Sequence, residues 1–374
     1  MKVALVHYWL VTMRGGERVL EELCQIYPDA DIYTHVVDPL ALSPALASRR
    51  IFTSFIASLP FAKKLYRHYL PLMPFALEQL DLRGYDLVIS SESGPAKGVI
   101  TNPETLHICY CHSPMRYLWN MYQEYRLEAG PITRAMMLPF FHYLRQWDYI
   151  SASRVDHFVA NSRTVAGRIG KFYRRDASVV HPPVDTERFV PAGERGDFYL
   201  FCGQLVGYKR ADHAIEACNR IGRPLVVIGT GPEAARLRRM AGPTITMMGP
   251  QPVNVLRDYY ARCRALLFPA EEDFGIVPVE AMASGRPVIA YGHGGIRDTV
   301  IDGITGVLYP EQTVDSLMSA IKRFENLEDS FLPVVLADHA GRFSRAAFRQ
   351  SFGRLVEQKY TDHVVRLAAE SAPF

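Results

Sequence analysis

Short, nearly continuous apolar runs alternate along this chain with segments whose apolar residues recur every three or four positions. "KVALVH" precedes residues 16–27, where Val19, Leu20, Leu23 and Ile26 mark one helical face. "DIYTHV", "YDLVIS", "KGVI" and "LHICYC" follow as strands, then a long aromatic helix around 131–153, "HFVA", a helix from 162 and "SVVH". Residues 182–197, "PPVDTERFVPAGERGD", read as a linker. The alternation then restarts with "FYLFCG", helix 211–221, "PLVVIG", helix 233–241, "TITMMG", helix 253–263, "ALLFPA", a short helix 278–284, "PVIA" and "GVLY". Buried strands alternating with helices predict parallel sheets covered on both faces. The expected organisation is a doubly wound domain over 1–183, a second over 184–352, and a terminal segment 353–374. The helix from about 344 is long enough to cross back to the first domain. Ligands of such folds lie where strand C-termini meet helix N-termini.

Composition narrows the class. The 374 residues suffice for two domains, and 48% hydrophobic with 22% charged residues fits a folded chain. A net charge of +3 is too mild to indicate a nucleic-acid partner. Six scattered cysteines suit reduced, buried thiols. Neighbours on one strand, as in "HICYCH", splay apart and rarely chelate, so no metal is expected there. The apolar start contains His7, lacks a small-x-small cleavage site, and reads as a first strand. No uncharged apolar run reaches the length of a membrane span. The expected location is cytoplasmic, peripheral on the inner face of the plasma membrane. Residues 61–77, "FAKKLYRHYLPLMPFAL", join Lys63, Lys64 and Arg67 to aromatic and aliphatic side chains without any acid, which suits an anionic membrane surface.

Candidate chemistry gathers at loops. Gly15-Gly16 follow a strand and open a helix, where backbone can approach an anion. "VVIGTGPEA" has dinucleotide-loop spacing at Gly229, Gly231 and Ala234, but Met247, Met248 and Gly249 stand where an NAD site wants a ribose-binding acid. Lys209 and Arg210 lie between a strand and a helix, placed to neutralise a diphosphate. "DAD" at 29–31 reads as a turn and strand start rather than a metal site. In "PAEEDFGIVPVEAMASGRPVIA", Pro278 suits a first helical turn, which would put Glu280 in that turn and Glu272 on the preceding loop.

The E-x7-E at 272–280, with Phe-Gly inside it and "EAMASGRPV" following, resembles the signature of retaining GT-B glycosyltransferases of family 4. "YCHSPMRYLW" at 110–119, "ANS" at 160–162, "HPPVDTERF" at 181–189, "YKRAD" at 208–212, "GTGPE" at 229–233 and "GGIRDTVIDGITGVL" at 294–308 agree with it. The resemblance implies an α/β GT-B fold, two Rossmann-like doubly wound domains facing across a cleft. It implies that Glu280 holds the donor ribose, that Glu272 and His112 contact the donor sugar, and that Lys209 stabilises the leaving phosphate. The backbone of Phe274, Gly275, Ile276 and Val277 would meet the diphosphate, and Gly16 would leave room for it. Met248 is counted among the donor-binding residues. Gln204 stands where the family usually has arginine, with Arg210 a nearby substitute, and Asp298 stands where glutamate is commoner.

Within the family, 110–119 and 208–212 resemble bacterial mannosyltransferases of O-antigen (lipopolysaccharide) and exopolysaccharide assembly. GDP-mannose is therefore the expected donor, a lipid-linked saccharide the expected acceptor, and no metal or other cofactor is expected. The alternatives are a UDP-sugar donor or a sugar-nucleotide-binding protein without turnover.

Overall fold

The computed structural model describes residues 1–370 and divides the chain into two units. Met1–Pro182 with the segment from Phe348 onward forms one, and Pro183–Ala347 the other. The return to the first unit lies at 347/348 rather than the expected 352/353, because Phe348 and Phe352 are already part of the first unit's core. The last four residues of the expected 353–374 segment lie outside the described residues.

In the first unit, strands β1 (Val3–His7), β2 (Asp31–Thr34), β3 (Ile51–Thr53), β4 (Leu87–Glu92), β5 (Leu106–Cys111), β6 (His157–Ala160) and β7 (Ala177–Val179) form one parallel sheet. Its order is β3-β2-β1-β4-β5-β6-β7, so the winding direction reverses between β1 and β4. Every residue of β1, β4 and β5 is buried, polar ones such as His7, Ser90, Ser91, Glu92 and His107 included, as expected of a sheet covered on both faces. The helix Arg345–Glu370 covers one face, setting the Phe348 and Phe352 rings edge-on to Tyr110 at 5.7 and 5.8 Å.

Two local readings change. β3 carries only partly buried and exposed residues, so it lacks the apolar run that marks the other strands. "KGVI" is a turn rather than a strand, and the reason is charge. Lys97 is fully buried and its ammonium meets Glu92 Oε1 at 2.9 Å and the Asp148 carboxylate. Glu92 Oε2 also accepts the backbone N–H groups of Ala96 and Lys97 at 2.9 and 2.6 Å, folding the segment back on β4. Asp148 Oδ2 accepts from Trp119 Nε1 at 2.7 Å and from the Tyr173 hydroxyl at 2.9 Å. Burial alone would lower the Lys97 ammonium, but the charges of Asp148 and Glu92 reverse this and raise it. "DAD" is structural: Arg50 grips Asp31 through two 2.5 Å hydrogen bonds.

In the second unit, β8 (Tyr199–Cys202), β9 (Leu225–Ile228), β10 (Ile245–Gly249), β11 (Leu266–Phe268), β12 (Val288–Tyr291) and β13 (Gly306–Tyr309) form a parallel sheet ordered β10-β9-β8-β11-β12-β13. Here the winding reverses between β8 and β11. The C-terminal edge at such a reversal is the usual ligand position in sheets of this kind.

Candidate functional site

The loop after β8 carries Gln204, Lys209 and Arg210, and the loop after β11 carries Glu272. The reversal therefore brings Lys209 and Glu272 together. They form an ion pair, with their side chains only 15% and 17% exposed. Burial opposes the Lys209 charge, but the Glu272 carboxylate and its hydrogen bond raise the ammonium above its usual value. A short 3-10 turn, Gly207–Lys209, precedes Arg210, which takes a left-handed backbone conformation with φ of 52°. That conformation costs a non-glycine residue on the order of 1 kcal/mol. Its guanidinium spans both Asp212 oxygens at 3.2 Å and also meets His213. Arg210 is thus committed to its own helix start, while Gln204 is exposed.

Glu272 is held by backbone. Its carbonyl accepts the Gly295 N–H at 2.8 Å. A Cβ at Gly295 would stand 2.1 Å from the Asp273 carbonyl, so the Gly-Gly after β12 is what lets that loop press against the Glu272 loop. The glycines of "GTGPE" do the same for the loop after β8. A Cβ at Gly229 would stand 1.8 Å from the Gly203 carbonyl, and one at Gly231 2.3 Å from that of Leu205. The dinucleotide-like spacing is accounted for by loop-on-loop packing.

The helix after Glu272 spans Ile276–Ala283 and begins at Gly275, whose φ of 89° turns the chain sharply into it. No side chain caps this N-terminus, so its first N–H groups suit an anion. Phe274 is buried against Phe343, with ring centroids 5.6 Å apart. Because the helix starts at Ile276, Pro278 is in the first turn but Glu280 is in the second. The expectation that Glu280 lies in the first helical turn is therefore corrected. Burial instead pushes its carboxyl up to about 7, against the Tyr260 hydroxyl that donates to Oε2 at 3.0 Å. The Asp185 charge raises it further and Arg188 opposes. Cys202, at the end of β8, is pushed up to about 11 by burial and feels Tyr260, Glu280 and Lys209, which ties these groups into one cluster. Met248 lies at a bulge in β10, and its carbonyl accepts the Gln251 amide at 2.9 Å.

The Glu280 environment makes stability depend on pH. A carboxyl raised in the folded state contributes most when protonated, and that contribution is lost as pH rises from the ordinary glutamate range through about 7. The ligand-free protein should lose thermal stability across this window, and Glu280→Gln should flatten the loss. An identical pH slope in the variant would contradict the assignment.

His112 and Gly16 belong to the first unit. His112 follows β5, with Nε2 2.9 Å from the Ser91 hydroxyl, its N–H donating to the Glu92 carbonyl at 2.7 Å and its carbonyl accepting from Asn161 at 2.8 Å. Gly16 is in the first turn of the helix Gly15–Ile26, where a Cβ would stand 2.5 Å from the Tyr8 hydroxyl. Its bare backbone makes room for Tyr8, a neighbour that spacing did not reveal. Tyr260, Ser91 and Asn161 were likewise missed as supports; Asn161 alone had a signal, in "ANS".

The two parallel, doubly wound units, with a cation and an uncapped helix at the strand reversal of the second, define the GT-B fold of glycosyltransferases. Residues 13–188 match the family described as Glycosyltransferase Family 4, and residues 185–350 match Glycosyl transferases group 1. Between them the two matches run over residues 13–350, and they support a glycosyltransferase of family 4 with the GT-B fold. D-inositol 3-phosphate glycosyltransferase of Mycolicibacterium smegmatis is 29% identical over 217 residues, 51% of this chain and 50% of that protein. An uncharacterized glycosyltransferase of Methanocaldococcus jannaschii is 27% identical over 195 residues, 51% and 55% of the two chains. The chain spans about half the length of the curated relatives it matches. Anabaena HepE, solved with UDP and glucose, superposes with a TM-score of 0.71 at 16% identity, covering 96% of this chain and 99% of its own. Sucrose-phosphate synthase from Thermosynechococcus elongatus gives 0.72 at 19% identity, covering 97% and 100%. At these identities the likeness is one of fold.

Proposed function

We propose that this protein is a retaining hexosyltransferase that moves mannose from GDP-mannose to a lipid-linked saccharide during bacterial surface polysaccharide assembly. The observation that carries the donor class is the Lys209–Glu272 pair beside the uncapped N-terminus at Ile276. A nucleoside diphosphate brings an anion that complements the Lys209 ammonium and these N–H groups, and its sugar brings hydroxyls for the two carboxyl groups.

In the proposed reaction the bond from the anomeric carbon to the β-phosphate oxygen breaks, and its electron pair stays on the phosphate. Lys209 and the amides at 274–277 stabilise that charge. The acceptor hydroxyl attacks from the same face and passes its proton to the departing phosphate. Glu272 and His112 hold the sugar, while Glu280 holds the ribose from its place against Tyr260. Glu272 is a positioning carboxylate here, not a covalent nucleophile, and the cation's role falls to Lys209 with no metal required. Mannose and guanine rest on the resemblance of 110–119 and 208–212 to mannosyltransferases. The protein would work as a peripheral enzyme, its acid-free 61–77 segment against the anionic inner face of the plasma membrane; among the described residues no helix is long and apolar enough to cross a membrane.

A UDP-sugar donor is the second reading, favoured by the UDP and glucose held by the Anabaena neighbour. Thermal shift with GDP, UDP, ADP and their sugars separates the two. Saturating GDP should stabilise the protein, by about 2.7 kcal/mol at a hundredfold excess over Kd. Stabilisation by UDP alone would replace mannose with a UDP-sugar, and none by any nucleotide would overturn both readings.

A further inference from the structure

Within the first unit, a groove of about 470 Å³ runs between the turn Tyr66–Leu72 and the long helix Pro131–Ser151. Leu70 and Pro71 form one wall; Met136, Met137 and Phe140 form the other. The volume is in the range of small-molecule sites. Arg67 and His68 stand among its lining residues.

The two segments share a composition that distance in sequence conceals. Residues 61–77 and 129–147 hold Lys63, Lys64, Arg67, Arg134 and Arg145 and not one acid. Met136, a lining residue, is 63% exposed, so part of this apolar wall stands open to solvent, as at a binding face. An apolar trough with Arg67 and His68 at its lining and no lining carboxylate complements one kind of molecule, a hydrocarbon chain that carries an anionic head. Methionine walls adapt to such a chain without a fixed shape.

We propose that this groove holds the hydrocarbon chain of the acceptor's lipid carrier, with the carrier's phosphate drawn to Arg67 and its basic neighbours. The site deepens the reading given above: it rests on a lipid-linked acceptor and says where the lipid goes. Its occupant is a single carrier molecule bound as a monomer, not a patch of bilayer.

The probe is farnesyl phosphate below its aggregation concentration, with farnesol and inorganic phosphate as the half-ligands. Binding is followed by emission of Trp9, Trp119 and Trp147, the chain's three tryptophans, all in the first unit. Farnesyl phosphate should bind saturably at one site, and each half-ligand at least about tenfold more weakly, a loss of about 1.4 kcal/mol. Met136→Glu puts a carboxylate in the trough and should weaken binding by about tenfold or more. Arg67→Glu should weaken farnesyl phosphate but leave farnesol unchanged. Ile132→Glu, on the same helix outside the groove, should bind like the unaltered protein. Non-saturable binding, no binding, or equal losses for Ile132→Glu and Met136→Glu would overturn the proposal, the last because it marks a flat surface. Nucleoside diphosphate stabilisation is measured on the same preparations, so a failure of the donor reading would show separately.

Discussion

Replacing Lys209 with alanine lowers turnover by about 100- to 1,000-fold, the usual cost of removing one fixed donor from a developing anion. The loss falls mainly on kcat. The ammonium is pre-placed by Glu272 and, in the proposed reaction, would serve the phosphate most when the sugar bond has broken and charge has built there. Lys209→Arg recovers only part of the rate, because a guanidinium fork does not replace a compact ammonium in a partly buried pair. Glu272→Ala acts differently: it frees the ammonium but loses the contact proposed for the sugar, so donor KM rises along with the fall in kcat. Steady-state kinetics on the two variants separate these outcomes, and a Lys209→Ala enzyme within about threefold of the parent would remove the lysine from the mechanism.

Lys97→Met destabilises the first unit by about 3–5 kcal/mol, the cost of stranding buried charges without their partner. Glu92 and Asp148 would share one enclosed site with no cation between them. Burial already raises the Glu92 carboxyl while Lys97 lowers it. Without the lysine, the folded-state Glu92 carboxyl rises further above its unfolded value. The variant's stability is then greatest at acid pH and falls as pH rises through the raised range, so its deficit is larger at pH 8 than at pH 5. Denaturation followed by tryptophan emission reads this directly, since all three tryptophans lie in the first unit. A deficit under about 1 kcal/mol would show that the triad is not a structural clamp.

The alternation of apolar runs and helical faces was enough to read both doubly wound units, because their central strands are buried along their whole length. Lys209 and Glu272 were legible as loop residues at strand ends. Their pairing was not, since it depends on β8 and β11 being neighbours at the reversal. Sequence distance hid other partners in the same way: Lys97 finds Asp148 across 51 positions, and Glu280 finds Tyr260 across 20. The phase of the short helix after Glu272 went astray for a local reason. Pro278 marks a first turn, but it is tolerated anywhere within that turn, and Gly275 lets the helix begin two residues earlier. That shift takes Glu280 out of the first turn, and burial pushes its carboxyl up to about 7.

The proposed seat of the nucleoside diphosphate is one place, the C-terminal edge of the second sheet. Hydrogen exchange with and without saturating GDP, repeated with UDP, tests it most directly, because amides that bind a diphosphate become protected where they sit. Protection should appear in the 203–210 loop and across 272–280, including the amides that open the helix at Ile276. Nucleotide binding that leaves both segments unprotected would rule out that seat.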